Sequence, residues 1–594
     1  MSVAATRVRV GGGVSVALLL AASILIGCTP PASEAPGSVA SSDAAPVDQE
    51  LERLIPSLMA QARVPGLQIA LIRDGRIVLE RGFGTTGGPD GAAVDADTVF
   101  EAASLTKPLF AYVVMTLVDD GVVDLDRPIV EYLPAERIEQ ALGHSLDADG
   151  FRRDWFETIT ARHVLSHSAG LPHGDGGAVT TVFFEPGTDW KYSAEGYGYL
   201  QLAVEHLSGK PLDTLADERV LRPLGMDRSS MVWRDDLEPR MARGHDVFGE
   251  AAEIRKRSQP TAAASLYTTA GDYARFVLAV IDGTGLDPET HRQMLDWTVD
   301  MGDDGSVGWS LGFGLQRDDA GVAFWQWGDY GIFRNYVIAS VEDRSGVVYL
   351  TNSFNGLALC DELVRAAIGR PPLGCLELEY QQYGSPFYEL FWTAKDEGAD
   401  ALAAKLPEAV AADPEFLDAD RLAEMAGVLD DNGLFEAAEV FHRFNLEKDP
   451  GSGEMLFNLA RHHVLAGELA KAEPLFEQSL TADRDPAERE RVEWMTGYMR
   501  ALQSPTPIDE ATLSSMVGDY GPRHLRARDG RLYYSRDDVD QSAQRPLFAE
   551  SKDTFVLEGL TYFKLQVVFG DDGKAAELVG LYDDGRRDVS PRDD

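Results

Sequence analysis

The sequence predicts an α+β protein assembled in consecutive parts. Residues 49–375 mix strand-like and helix-like runs, 386–504 are rich in Ala, Leu and Glu with helical periodicity, and 508–594 turn to short strands. Asp-Gly turns between alternating apolar runs signal hairpins in the first and last of these parts. Apolar residues spaced by three and four along 111–118 and 199–207 signal helices in the first part.

At 594 residues the chain has room for several domains. Hydrophobic residues make up 44% and charged ones 25%, an ordinary globular balance with ample core. The net charge is −43, from 97 acidic against 54 basic residues. Phosphate binding needs a basic face, so no nucleic-acid partner is expected. The acidic excess reads as a device for solubility.

The N-terminus opens with Arg7 and Arg9 ahead of a short apolar run, Val14 to Ile26. A comfortable membrane-spanning helix needs about 20 apolar residues, so this run fits a signal peptide instead. It ends Leu25-Ile26-Gly27-Cys28, which resembles the lipobox of bacterial lipoproteins. That resemblance implies cleavage before Cys28, lipidation there, and a lipoprotein of the cell envelope facing the periplasm or the outer surface. A plain signal peptide is the alternative. Residues 29–48, rich in Pro, Ala, Ser and Gly, read as a flexible tether.

In the first folded part, apolar alternation at 68–72 and 76–79 flanks Asp74-Gly75, as in a β-hairpin. Cys360 and Cys375 are close in sequence, and an oxidising compartment permits a disulfide between them. Two separate buried thiols are the alternative. In the helical part Gly433 and Gly467 are 34 residues apart, as are Leu422 and Leu456, Ala426 and Ala460, and Ala438 and Ala472. That period resembles tetratricopeptide repeats, although Pro474 falls where a helix should run. An irregular bundle is the alternative, and a protein partner at the repeats is the expected use of such an array. Asp529-Gly530, Asp572-Gly573 and Asp584-Gly585 then punctuate a small all-β domain.

The chemistry centres on FEAASLTKPLF, residues 100–110. A serine hydroxyl is a weak nucleophile until a base takes its proton. Positions i and i+3 share a helical face, so Lys107 would lie one turn from Ser104. A lysine in water has a pKa of about 10.4 and must be buried, or placed near another cation, to act as a base. Pro108 is tolerated only if the helix starts just before it, which puts Ser104 at the helix entrance. There the positive end of the helix favours a developing oxyanion.

The motif stands in telling company: VPGLQIALIRDGRIVLERGFG and DTVFEAASLTK, then ITARHVLSHSAGLP, FEPGTDWKYSAEGYGYLQLAVEHLSG and VLRPLGMDRSSM. This ordered series resembles the serine β-lactamase-like superfamily, which includes class C β-lactamases, D-alanyl-D-alanine peptidases and related esterases. The resemblance covers about residues 50–355 and implies an antiparallel sheet flanked by helices with a helical subdomain beside it. The C-terminal GDYGPRHL…DGRLYY pattern looks like β modules found behind such hydrolases.

Carried over residue by residue, the resemblance makes Ser104 the acylated nucleophile, Lys107 its proton acceptor and Tyr192 the proton shuttle. The backbone N–H groups of Ser104 and Asp329 would form the oxyanion hole. Two departures stand out. Ala194 replaces the Asn of Tyr-x-Asn, and Gln326-Trp327-Gly328 replaces Lys-Thr-Gly or His-x-Gly. Ala194, Gln326, Trp327, Gly328 and nearby Arg334 are thus expected to line the substrate site with unusual chemistry. His167 and His173 are close, and His167 is expected to serve as a structural hydrogen-bonder. The Cys and His spacings match no metal motif, so neither metal nor cofactor is expected. The expected function is an exported, lipid-anchored serine hydrolase of a small acyl substrate, most simply a carboxylic ester. The alternatives are a D-alanyl peptidase or β-lactamase, a binding module that has lost turnover, and a scaffold lipoprotein whose repeats are the working part.

Overall fold

The computed structural model describes residues 47–594, apart from 89–90, 143–144, 148–150, 174–180, 303, 483, 485, 538–543, 571–572, 584–586 and 594. The expected signal peptide, Cys28 and nearly all of the tether lie outside the described residues. The helix Val47–Ala62 begins two residues inside the expected tether. The chain divides into two compact units between Glu379 and Tyr380.

The first unit is organised on an antiparallel sheet with eight strands among the described residues. From edge to edge these are Arg76–Gly84, Gly66–Arg73, Ser345–Thr351, Arg334–Ser340, Gly321–Asp329, Gly314–Asp318, Val307–Trp309 and Val299–Asp300. The first hairpin turns at Asp74 (φ +49°) and Gly75 (φ +69°), as an Asp-Gly pair in left-handed conformation allows. Strand Gly66–Arg73 is buried along nearly its whole length and therefore reads as an apolar run rather than an alternation. The helices Thr106–Asp119, Ala194–Ser208 and Ala270–Asp282 contribute to one continuous apolar core with the sheet. Thr106–Asp119 has twelve of its fourteen residues buried, which places the element after Ser104 in the middle of that core. The expected antiparallel sheet with flanking helices is what the chain forms.

Cys360 and Cys375 are both buried and both free. The expected bridge is therefore corrected to a pair of thiols in hydrogen-bond contact with each other, with burial pushing the Cys360 thiol well up.

The second unit holds the helices and the C-terminal strands together. The helix pairs Ala419–Asp431 with Phe435–Lys448, and Gly453–Leu465 with Leu469–Thr481, start 34 residues apart. The turns within the pairs carry Gly433 (φ +71°) and Gly467 (φ +75°), where a side chain would be strained. The helix Leu469–Thr481 runs through Pro474, so the expected break does not occur. The strands from Gly518–Tyr520 to Arg587–Pro591 pair in sequence order, eight among the described residues and antiparallel throughout. Helix Pro486–Gln503 is tied to them by Trp494 Nε1, which donates to the Thr561 carbonyl at 2.8 Å, and by Tyr498 Oη, which donates to that of Leu557 at 2.9 Å.

Candidate active site

The short strand Phe100–Glu101 ends in a sharp turn at Ala103, whose φ of +50° lies in the left-handed region. A non-glycine residue there is strained, and strain of this kind collects at working sites. The turn enters a 3-10 segment, Ala103–Leu105, that runs on into helix Thr106–Asp119. Ser104 therefore sits at the helix entrance, and Pro108 falls in the first turn, where its missing N–H costs nothing. Thr106 Oγ1 donates to the Ala103 carbonyl at 2.6 Å and accepts from the Leu266 N–H at 3.0 Å, fixing the turn from both sides.

One helical turn on, Lys107 Nζ lies 3.1 Å from Ser104 Oγ and donates to the Ala263 carbonyl at 2.9 Å. The lysine is 1% exposed, and burial pushes its pKa down from the ordinary range to about 7, against the opposing pull of the Glu195 charge. Its ammonium also stands 4.7 Å from the centre of the Tyr192 ring and 5.6 Å from that of Tyr197. The physical condition set by the sequence, a lysine desolvated beside the serine, is met.

Tyr192 arrives from a distant part of the chain. Its phenol hydrogen-bonds Ser104 and accepts from Gln326 Nε2 at 3.1 Å. Burial raises its pKa well above the ordinary phenol range, so the group is a protonated phenol at neutral pH. The next residue, Ser193, caps the helix Ala194–Ser208: its Oγ accepts from the Gly196 N–H at 2.9 Å and donates to the Pro172 carbonyl at 2.6 Å. Such a cap contributes about 1 kcal/mol to the helix and, here, holds Tyr192 in place.

His167 is fully enclosed. Its Nδ1 accepts from the Ser193 N–H at 3.1 Å, so the ring carries its proton on Nε2, and burial holds its pKa well below the ordinary range. The ring packs 4.3 Å from Tyr192 and 5.1 Å from both Tyr197 and Trp309. It positions the segment around Tyr192. His173 packs 5.1 Å from the same ring.

The strand Gly321–Asp329 crosses behind the nucleophile turn. At Gly328 a Cβ would stand 2.2 Å from the Ala102 carbonyl, so only glycine permits the approach that brings Asp329 next to Ser104. Gln326 is fully buried, and besides Tyr192 its Nε2 donates to the carbonyls of Trp327, at 3.1 Å, and Ser104, at 3.4 Å. It thus serves the catalytic groups, whereas the sequence suggested a substrate contact. Trp327 stacks 4.6 Å from Tyr192. Ala194 is nearly buried as the first residue of its helix. Arg334, a candidate cation for the substrate, pairs with Asp329 at 3.0 Å and lies 3.6 Å from the centre of the Phe354 ring. Asp329 Oδ1 also accepts from the Gly331 N–H at 2.7 Å, so its carboxylate is folded back into its own hairpin.

Ser104, Lys107, Tyr192 and Gln326 thus converge from three separate stretches, with Asp329 beside them. Sequence reasoning gave no role to Glu195, whose charge acts on Lys107, or to the Ala263 carbonyl that anchors it. The signal for Glu195 was there, an acid directly after a residue that departs from the motif. The carbonyl has no side-chain signature.

A family model described as Beta-lactamase matches residues 51–367. The chain belongs to the beta-lactamase family. It is a serine hydrolase of that superfamily, and the converging groups are those the family motifs single out. Among its relatives, the esterase EstB of Burkholderia gladioli is 26% identical over 300 residues, covering 42% of this chain and 74% of its own. Penicillin-binding protein 4 of Amycolatopsis lactamdurans is 27% identical over 354 residues, covering 53% of this chain and 87% of its own. Among solved structures, the D-alanine carboxypeptidase AmpC of Burkholderia cenocepacia superposes with a TM-score of 0.46 at 20% identity, over 54% of this family member and 98% of itself.

Proposed function

We propose that the protein is an exported, lipid-anchored esterase that works through an acyl-enzyme at Ser104. The observation that carries this reading is the fully desolvated Lys107, pushed down to about 7, with its Nζ 3.1 Å from Ser104 Oγ. Neutral Lys107 takes the Ser104 proton as Oγ attacks the ester carbonyl. The backbone N–H groups of Ser104 and Asp329 hold the oxyanion. The proton then passes through the Tyr192 phenol to the departing alkoxide, leaving the acyl group on Ser104. Water enters by the same route in reverse and releases the acid. Tyr192 is too weak an acid to be the resting base, so the basic role falls to Lys107.

The choice of ester rests on what the site lacks. Ala194 has no side-chain donor for an acylamide, Gln326 is neutral and occupied by Tyr192, and Arg334 is paired with Asp329. A peptide or β-lactam would leave polar groups poorly partnered, at about 1–3 kcal/mol each. An ester needs none of those contacts, and its alkoxide leaves more readily than an amine. The relative from Burkholderia gladioli is named an esterase, in accord with this reading.

The test joins mapping with kinetics. A fluorophosphonate probe is expected to modify Ser104, and Ser104→Ala to abolish labelling and turnover. Short-acyl esters are expected to give a higher kcat/KM than cephalosporins or D-alanyl-D-alanine peptides. An adduct on another serine overturns the nucleophile, and a reversed substrate order overturns the ester preference.

A further inference from the structure

Away from the hydrolase unit, three successive helices bring one carboxylate and two imidazoles together. Asp430 lies at the end of helix Ala419–Asp431, His442 in Phe435–Lys448 and His462 in Gly453–Leu465. The three are 4%, 5% and 1% exposed. His442 Nε2 lies 3.2 Å from Asp430 Oδ2, and His462 Nδ1 lies 2.6 Å from Asp430 Oδ1. One ligand atom from each residue falls within 4.8 Å of the other two, the one such grouping among the described residues.

The 34-residue period shows how unusual this is. The positions of Asp430 and His442 in one helix pair correspond to Val464 and Phe476 in the next, both of which are buried in an apolar core. The fold therefore fills these positions with hydrocarbon when packing is the only demand. Here it buries a carboxylate, and a buried charge is costly unless it is paired. Two neutral imidazoles satisfy its hydrogen bonds but leave its negative charge in the helix stack. A divalent cation would cancel that charge.

We propose that Asp430, His442 and His462 form a metal site, and that its ion is zinc. Two imidazole nitrogens and one carboxylate oxygen suit a borderline cation, whereas calcium and magnesium prefer all-oxygen sets. Zinc with three protein ligands completes its tetrahedron with water. Bonds of about 2.0–2.1 Å place tetrahedral ligand atoms about 3.3 Å apart, so the carboxylate withdraws from His462 by under about 1 Å. On binding, each imidazole exchanges its carboxylate-facing proton with solvent and carries one on its other nitrogen instead. Both rings stay neutral and nothing is oxidised or reduced. The ion staples three helices of the repeat region and stabilises them by mass action. The spacing escapes motif recognition because the ligands are 12 and 20 residues apart on three different helices.

The experiment takes the full chain, strips it with a chelator and titrates it with zinc, then with cobalt. Expected are uptake of one zinc per chain at micromolar or lower concentration, a rise of several degrees in Tm, and the visible absorption of four-coordinate cobalt. Asp430→Asn and His462→Gln are expected to lose the uptake and the Tm shift. Where a variant fails to fold, stoichiometry and the cobalt spectrum of the unaltered chain decide. No uptake, a cobalt spectrum of six-coordinate aqueous type, or zinc uptake undiminished in a folded His442→Gln or His462→Gln chain overturns the proposal.

Discussion

The side-chain amide of Gln326 donates to the phenol oxygen of Tyr192 at 3.1 Å, at the motif position where relatives of this kind carry a cation. A neutral donor there orients the phenol toward Ser104 without adding charge near Lys107. Gln326→Leu leaves the phenol oxygen without that donor in a closed site. Losing one partner of a buried polar group costs about 1–3 kcal/mol, so kcat is expected to fall about tenfold to a hundredfold with KM for a small ester little changed. An unchanged kcat shows that Tyr192 is held by its ring packing alone.

Lys107 sets the pH dependence. The neutral amine is the base and its pKa is about 7, so kcat/KM is expected to rise with pH and level off above about 7. Glu195 pulls the lysine pKa up. Glu195→Gln removes that pull, and the acid limb is expected to move to lower pH. A limb that stays put or moves up disproves the coupling.

The same lysine carries a stability cost. Its pKa is lowered on folding, so the unfolded chain binds the extra proton between about 7 and 10.5. Stability from this group therefore rises with pH across that window, and the burial cost is complete below about 7. Lys107→Met is expected to abolish turnover yet stabilise the first unit by about 1–3 kcal/mol at pH 6, with the gain fading toward pH 10. Thermal unfolding at the two pH values measures this, and equal shifts at both refute it.

Cys360 and Cys375 make a clean test of the thiol pair. Both are buried and free, and the Cys360 thiol is held protonated by burial. Neither is expected to react with an alkylating reagent in the folded protein, and both are expected to react once it is unfolded without reductant. Two unreactive residues in the unfolded chain would reveal a bridge.

Cys28 tests the anchor. Several acyl chains hold a protein on a membrane where a single chain holds weakly. Cys28→Ser is expected to leave the protein uncleaved or in the soluble fraction, whereas unchanged membrane recovery and processing count against lipidation.

The sequence by itself determined the features that local geometry dictates. Three residues of spacing and a proline one position on put Ser104 and Lys107 on one face at a helix start, because helical pitch fixes that relation wherever the segment folds. Asp74-Gly75 and Asp529-Gly530 fixed their hairpins, since both residues of such a turn need positive φ, which they adopt at +49° and +69° and at +52° and +73°. The 34-residue repeat was equally plain, because each helix pair packs on its neighbour in the same way. Tertiary structure alone decided the rest. Lys107 is a base only because the core closes over it, and no single segment encodes desolvation. Gln326 turned from substrate residue to support for Tyr192 because a strand 222 residues after Ser104 crosses behind the nucleophile turn at Gly328. Arg334, exposed to any role in the sequence, is committed by a hairpin to Asp329. Asp430, His442 and His462 meet because three helices pack with the same faces inward, a relation written in the packing of the array and in no stretch of the chain short enough to read as a motif.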